Sequence, residues 1–206
     1  MKALLISIKP KWVSKILNGE KTIEVRKSKP KCDLPIDVYI YCTKDKELLH
    51  KNCVDIYWVE DKDFQAKNKK FGIKTQPYLN GKVVAKFTLN KVEEITPFEE
   101  YESPFGMAYK LKENKIVCCQ KAQLTYDEYN HYLKGKKGYA WHISNLVIFD
   151  RPKELSEFKH YNKPSCDSCP FQYSIECDYH REVECDDIPL TKSPQSYMFI
   201  EVVGDK

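Results

Sequence analysis

The chain has 206 residues, long enough for one domain with an appendage and for a core that does not depend on disulfides. Its 34 Lys and Arg against 30 Asp and Glu leave a net charge of +4, which permits contact with a polyanion without demanding one. No membrane-length apolar span or secretory h-region is evident, since the run Ala3 to Ile8 is too short and leads into Lys9-Pro10-Lys11. A cytoplasmic setting is therefore expected, with the nine cysteines as free thiols plus a metal site.

Ala3 to Ile8 has the length of a strand, and Pro10 supplies the fixed φ of a helix's first turn. Trp12, Val13, Ile16 and Leu17 then fall on one side of a short helix that Asn18-Gly19 ends. Thr22 to Arg26 alternates as a second strand, Ile23 and Val25 to one face, Thr22, Glu24 and Arg26 to the other, beside a turn that carries Lys21. On spacing alone, Glu24 and Arg26 form an exposed strand-surface ion pair worth ~0 to 1 kcal/mol. Lys27 to Pro35 is a basic, Pro-punctuated loop, and Ile36 to Cys42 is the next strand.

Residues 44–76 read as a charged, Lys-rich insertion that packs Trp58 back onto the sheet, and Cys32, Cys42 and Cys53 as core or loop residues. Asn80-Gly81 gives a hairpin signal before the strand Lys82 to Leu89, whose Val83, Ala85, Phe87 and Leu89 share a face. Thr96 to Gly106 reads as an acidic loop. Thr125 to Glu128 fits a capping box for a helix to Leu133, closed by Gly135, with Lys134 to Lys137 at its C-terminus. Gly138 to Asp150 is a strand pair or a bent strand that starts with Trp141 and His142. Trp141 is either a core residue or a platform on which a base stacks. Leu155 to Phe158 leads away from the sheet, and Ser196 to Val203 returns to close it.

Cys166, Cys169, Cys177, His180 and Cys185 place five soft ligand candidates within twenty residues that contain almost no apolar core. A tetrahedral zinc needs four, and Cys166-x-x-Cys169 holds one ion from a single turn. Cys177 with Cys185 completes a four-thiolate site, and Cys177 with His180 a three-thiolate one. The metal is expected to be structural zinc, replacing a hydrophobic core. A cysteine-ligated iron–sulfur cluster is the smaller alternative.

The order Ser7, Lys9, Pro10, Trp12, then Asn18, Gly19, Lys21, Thr22, Glu24 and Arg26, resembles the ASCH domain family, a branch of the PUA-like proteins. Gly138 to Leu146 resembles the later strand of its longer bacterial and phage-type members. The resemblance implies a mostly β, α+β fold, a PUA-like β-pseudobarrel with short covering helices. Residues 1–206 would form a single domain, with the insertion at 44–76 and a zinc knuckle at 160–187. It also implies a pocket between the first helix and the barrel for RNA, another single-stranded nucleic acid or a modified nucleotide. Ser7, Lys9, Trp12, Lys21, Glu24 and Arg26, with Trp141, are the residues expected to line it. Some small family members are amidohydrolases acting on N4-acetylcytidine, in which the lysine matching Lys21 is catalytic. Glu24 stands here where their threonine would be, and no residue is identified for their distant glutamate. A protein-interaction module is the third reading.

Overall fold

The computed structural model describes residues 1–45, 47–51, 56–60, 79–161 and 189–202. The elements, in chain order, are β1 (Lys2–Ile8), α1 (Pro10–Leu17), β2 (Ile23–Arg26), β3 (Ile36–Cys42), β4 (Glu47–Lys51), β5 (Ile56–Glu60), β6 (Val83–Ile95), β7 (Glu99–Ser103), β8 (Gly106–Lys110), α2 (Glu113–Ala122), α3 (Tyr126–Leu133), β9 (Gly138–Lys153), β10 (Lys159–His160) and β11 (Tyr197–Glu201). Among the described residues, seven strands form one mixed sheet in the order β10-β11-β1-β3-β6-β9-β2, while β4–β5 and β7–β8 are separate hairpins. The fold is mostly β with few helices. None of the described helices is long and apolar enough to cross a membrane.

β1 runs through the centre, parallel to β3 on one edge and antiparallel to β11 on the other. A strand covered on both faces is apolar on both, which is why Ala3 to Ile6 run without alternation. Leu4, Ile6 and Ile8 pack with Val13, Ile16 and Leu17 of α1 and with Phe87 of β6, whereas Ala3 and Leu5 face Tyr39, Phe158 and Ile200 on the other side. Pro10 opens α1 and Gly19, at φ +77°, lets the chain turn back. A third cluster sets Cys118, Cys119 and Ala122 of α2 and Tyr129 and Leu133 of α3 against Ile23 and Val25 of β2. The Thr125 hydroxyl accepts from the Glu128 backbone N–H at 3.1 Å, and the Glu128 carboxylate accepts from Thr125 N–H at 3.0 Å, closing the expected capping box.

Several expectations are corrected. The acidic stretch 99–110 is the β7–β8 hairpin, two largely exposed five-residue strands, the first carrying Glu99, Glu100 and Glu102. Asn80-Gly81 makes a turn, with Gly81 at φ +82°, but not a local hairpin: β6 pairs with β3 and β9, and Asn80 Oδ1 accepts from Leu49 N–H at 2.7 Å. Within the insertion Glu47–Lys51 and Ile56–Glu60 pair as β4–β5, and Leu49 is fully buried in the first cluster. Cys53 and the Trp58 side chain lie outside the described residues. Leu155–Glu157 is a single 3-10 turn that delivers Phe158 into the core rather than away from it. β9 is a single 16-residue strand whose register against β6 shifts along its length.

Gly138, where β9 begins beside the end of β2, has no room for a side chain. An added Cβ would collide with Leu133 Cδ2 and lie 3.0 Å from the Arg26 carbonyl oxygen. Gly138→Ala is expected to destabilise the protein by about 1–3 kcal/mol. Urea unfolding measures this, and an unchanged midpoint would contradict the packing described.

Candidate functional site

Lys21, Glu24 and Arg26 are buried, at 3%, 8% and 6% exposure, and not at a solvated strand surface. The chain folds there because the turn after α1 is fixed at both ends: Lys21 N–H donates to the Lys15 carbonyl, and Thr22 N–H to the Lys121 carbonyl at the end of α2. Lys21 Nζ donates to the Ala122 carbonyl at 2.8 Å, an acceptor at a helix C-terminus that has no partner within the helix. Glu24 reaches both cations, its Oε2 3.4 Å from Lys21 Nζ and its Oε1 3.1 Å from Arg26 Nε. The second approach is not aligned as a hydrogen bond, so it is a charge contact. Arg26 commits its other nitrogens to the backbone, Nη2 donating to the Ser7 carbonyl at 2.8 Å and Nη1 to that of Ser196 at 3.2 Å.

Burial pushes the Lys21 pKa below its ordinary 10.5, with Arg26 adding to the effect, and the opposing pull of Glu24 does not cancel it. The group is therefore closer to giving up its proton than an exposed lysine.

These residues form the floor of a cavity of ≈580 Å³. α1 contributes Trp12, whose ring has Lys11 Nζ 4.5 Å and Lys21 Nζ 5.3 Å from its centroid. Lys9 stands exposed at the entrance, at the N-cap of α1. α3 contributes Glu128, His131 and Tyr132, and Ser193 to Gln195 supply the facing wall. That wall is tied down by Ser7, whose Oγ donates to the Pro194 carbonyl at 2.7 Å, as well as by Arg26 on Ser196. Glu128 is paired with Lys11 at 3.0 Å, and its carboxyl is held below the usual range first by the Thr125 N–H.

Ser7, Lys9, Trp12, Lys21, Glu24 and Arg26 thus meet at one cavity. Trp141 does not join them. It is fully buried in the first cluster and its Nε1 donates to the Ser28 carbonyl at 3.2 Å, so it is a core residue and offers no face on which a base can stack. Glu128, His131, Tyr132 and the 193–195 wall escape the sequence reading. The spacing of three and four residues between Glu128, His131 and Tyr132 was a usable sign of a shared helix face; the wall left none. Cys166, Cys169, Cys177, His180 and Cys185 lie outside the described residues. Among the described residues no group of three or more His, Cys, Asp or Glu side chains could hold a metal.

The model of the ASCH domain matches residues 6–152. No curated protein matches the chain. Among solved structures, an ASCH protein from Zymomonas mobilis aligns at 17% identity with a TM-score of 0.45, covering 74% of this chain and 73% of that one. A Tyr-to-Phe variant of the Zymomonas mobilis protein aligns at 17% identity and TM-score 0.45, over 75% of this chain and 77% of that one. With the family model spanning well over half its length, the chain belongs to the ASCH domain family.

Proposed function

We propose that the cavity binds a nucleobase, presented by RNA or another single-stranded nucleic acid or as a modified nucleotide. The observation that carries this reading is the floor itself: a buried ammonium and a buried carboxylate side by side, under an indole ring, in a cavity of ≈580 Å³. Ligand pockets of about 300–1,000 Å³ with a few convergent polar groups are the usual small-molecule sites. A base offers a flat π face to Trp12, an amino group to Glu24 and a carbonyl to Lys21. Arg26 serves here as a positioning residue, since it aligns Glu24 and anchors the wall. Binding of ribonucleoside monophosphates, followed calorimetrically, is expected to weaken roughly tenfold or more in Trp12→Ala, given about 1–3 kcal/mol per stacked base. Glu24→Gln should alter the preference among bases. Equal affinity in wild type and Trp12→Ala would refute the assignment.

Hydrolysis of an N4-acylated cytidine is the second reading, favoured by the lowered Lys21 pKa. Lys21 would act as base or nucleophile only when neutral. Its neutral fraction grows as pH rises through the lowered pKa, so turnover should show an ascending limb that levels off below 10.5. Chromatography of N4-acetylcytidine incubations across pH checks this. Lys21→Ala must abolish product, and absence of turnover in the wild type removes the reading. Glu24 in place of a hydroxyl residue counts against it.

The cysteine-rich segment is assigned structural zinc on its Cys166-x-x-Cys169 spacing, with Cys177 and either Cys185 or His180 completing the set. Metal analysis is expected to give one zinc per chain, and a chelator to lower Tm. Retention of the zinc by a Cys166→Ser, Cys169→Ser double variant, or iron in its place, would overturn the assignment.

A further inference from the structure

The antiparallel pairing of β2 with β9 sets Arg26 opposite Tyr139, so the loop that leaves β2 and the turn that enters β9 emerge at the same end of the sheet. The first loop carries Lys27, Lys29 and Lys31, and the second carries Lys134, Lys136 and Lys137; all six are exposed. Their separation in sequence hides the cluster. Among the described residues only Lys137 of the six is paired with a carboxylate, that of Glu94 at 2.9 Å, and Asp33 is the acidic residue within the first loop.

Both segments are held at the backbone. Trp141 Nε1 donates to the Ser28 carbonyl and Tyr197 Oη to that of Lys29 at 3.1 Å, while Lys134 and Gly135 take left-handed conformations that fix the end of α3. The negative end of a helix dipole accounts for lysines at 134–137. It does not account for those at 27–31, which follow a strand. The patch also adjoins the cavity: Lys27 Nζ lies 5.2 Å from the centroid of the Tyr132 ring, and Tyr132 and Arg26 both line the cavity.

We infer that these lysines form a track for the phosphodiester backbone of a single nucleic-acid strand, one base of which reaches the cavity. The ligand is then a nucleotide within a chain and not a free nucleoside. Flexible ammonium groups on a fixed backbone suit phosphates, which need point charges and not a shaped pocket. The inference rests on the nucleobase reading of the cavity, and the test separates the two.

The probe is a 12-nucleotide single-stranded RNA of mixed sequence, followed by fluorescence anisotropy from 50 to 200 mM NaCl. It is compared with a mononucleotide measured by calorimetry. The protein is the full chain, as wild type and as the triple variant Lys29→Gln, Lys31→Gln, Lys136→Gln, whose sites lie on the surface. Each phosphate contact to a single strand contributes about −0.7 to the slope of log affinity against log salt. The triple variant should therefore lower the magnitude of the slope by roughly 2. It should also bind the RNA at least about tenfold more weakly at 50 mM, with mononucleotide binding unchanged. Equal RNA affinity and slope in the two proteins would overturn the track, as would RNA bound no more tightly than the mononucleotide. Lysine-dependent binding to phosphatidylserine vesicles without RNA binding would also overturn it, in favour of a membrane surface. RNA bound through the lysines with no mononucleotide binding would leave the track standing and refute the cavity reading.

Discussion

A carboxylate taken out of water must be paired, and Glu24 is paired twice. Its two oxygens face Lys21 and Arg26, and each cation continues to a backbone carbonyl elsewhere: Lys21 to Ala122 at the end of α2, Arg26 to Ser7 of β1 and to Ser196 just before β11. Three separate parts of the chain are thereby tied to one short strand and the turn before it. Removing one partner from such a buried set costs about 3–5 kcal/mol, because the remaining charge is left without compensation. The floor of the cavity and the closure of the fold are the same group of atoms, which limits how far either can vary without the other.

This arrangement separates two roles that residue types alone cannot distinguish. A guanidinium on a strand is suited to holding phosphate, yet Arg26 is engaged by protein carbonyls. Lys21 is shifted by burial toward neutrality although an anion sits beside it. Desolvation outweighs attraction here because the ammonium is almost wholly enclosed while Glu24 divides its charge between two cations. Charges available to a polyanion lie at the edge of the sheet instead. An overall balance of +4 conceals that segregation, because Glu99, Glu100 and Glu102 are gathered on the β7–β8 hairpin.

Much of the frame was legible in the sequence where the signal is local. The apolar run of β1, Pro10 and Gly19 around α1, the capping box at Thr125, and the alternation of Ala85, Phe87 and Leu89 each depend on residues close together in the chain. α2 was missed because its ten residues mix lysines, cysteines and polar side chains with little amphipathic contrast. The β7–β8 hairpin reads as a loop because its glutamate-rich first strand has no apolar alternation to mark it. Trp141 shows a different limit: an aromatic residue at the start of a strand looks the same whether it faces ligand or core, and only the pairing of β9 with β2 and β6 decides. The wall at Ser193 to Gln195 was the least legible part. Its contacts with Ser7 and Arg26 span 187 and 170 residues, and no local pattern encodes them.

That same separation bears on how the protein is made. β1 finds β3 within a few dozen residues of chain, but its other edge stays open until residues 197–201 have been synthesised. Through that interval a largely apolar strand offers an unpaired row of backbone donors and acceptors, the kind of edge that recruits strands from other chains. Long-range pairing of this sort is slow because loop closure comes before any stabilising contact. The cavity, whose wall at Ser193 to Gln195 lies just before β11, exists only once that interval has ended.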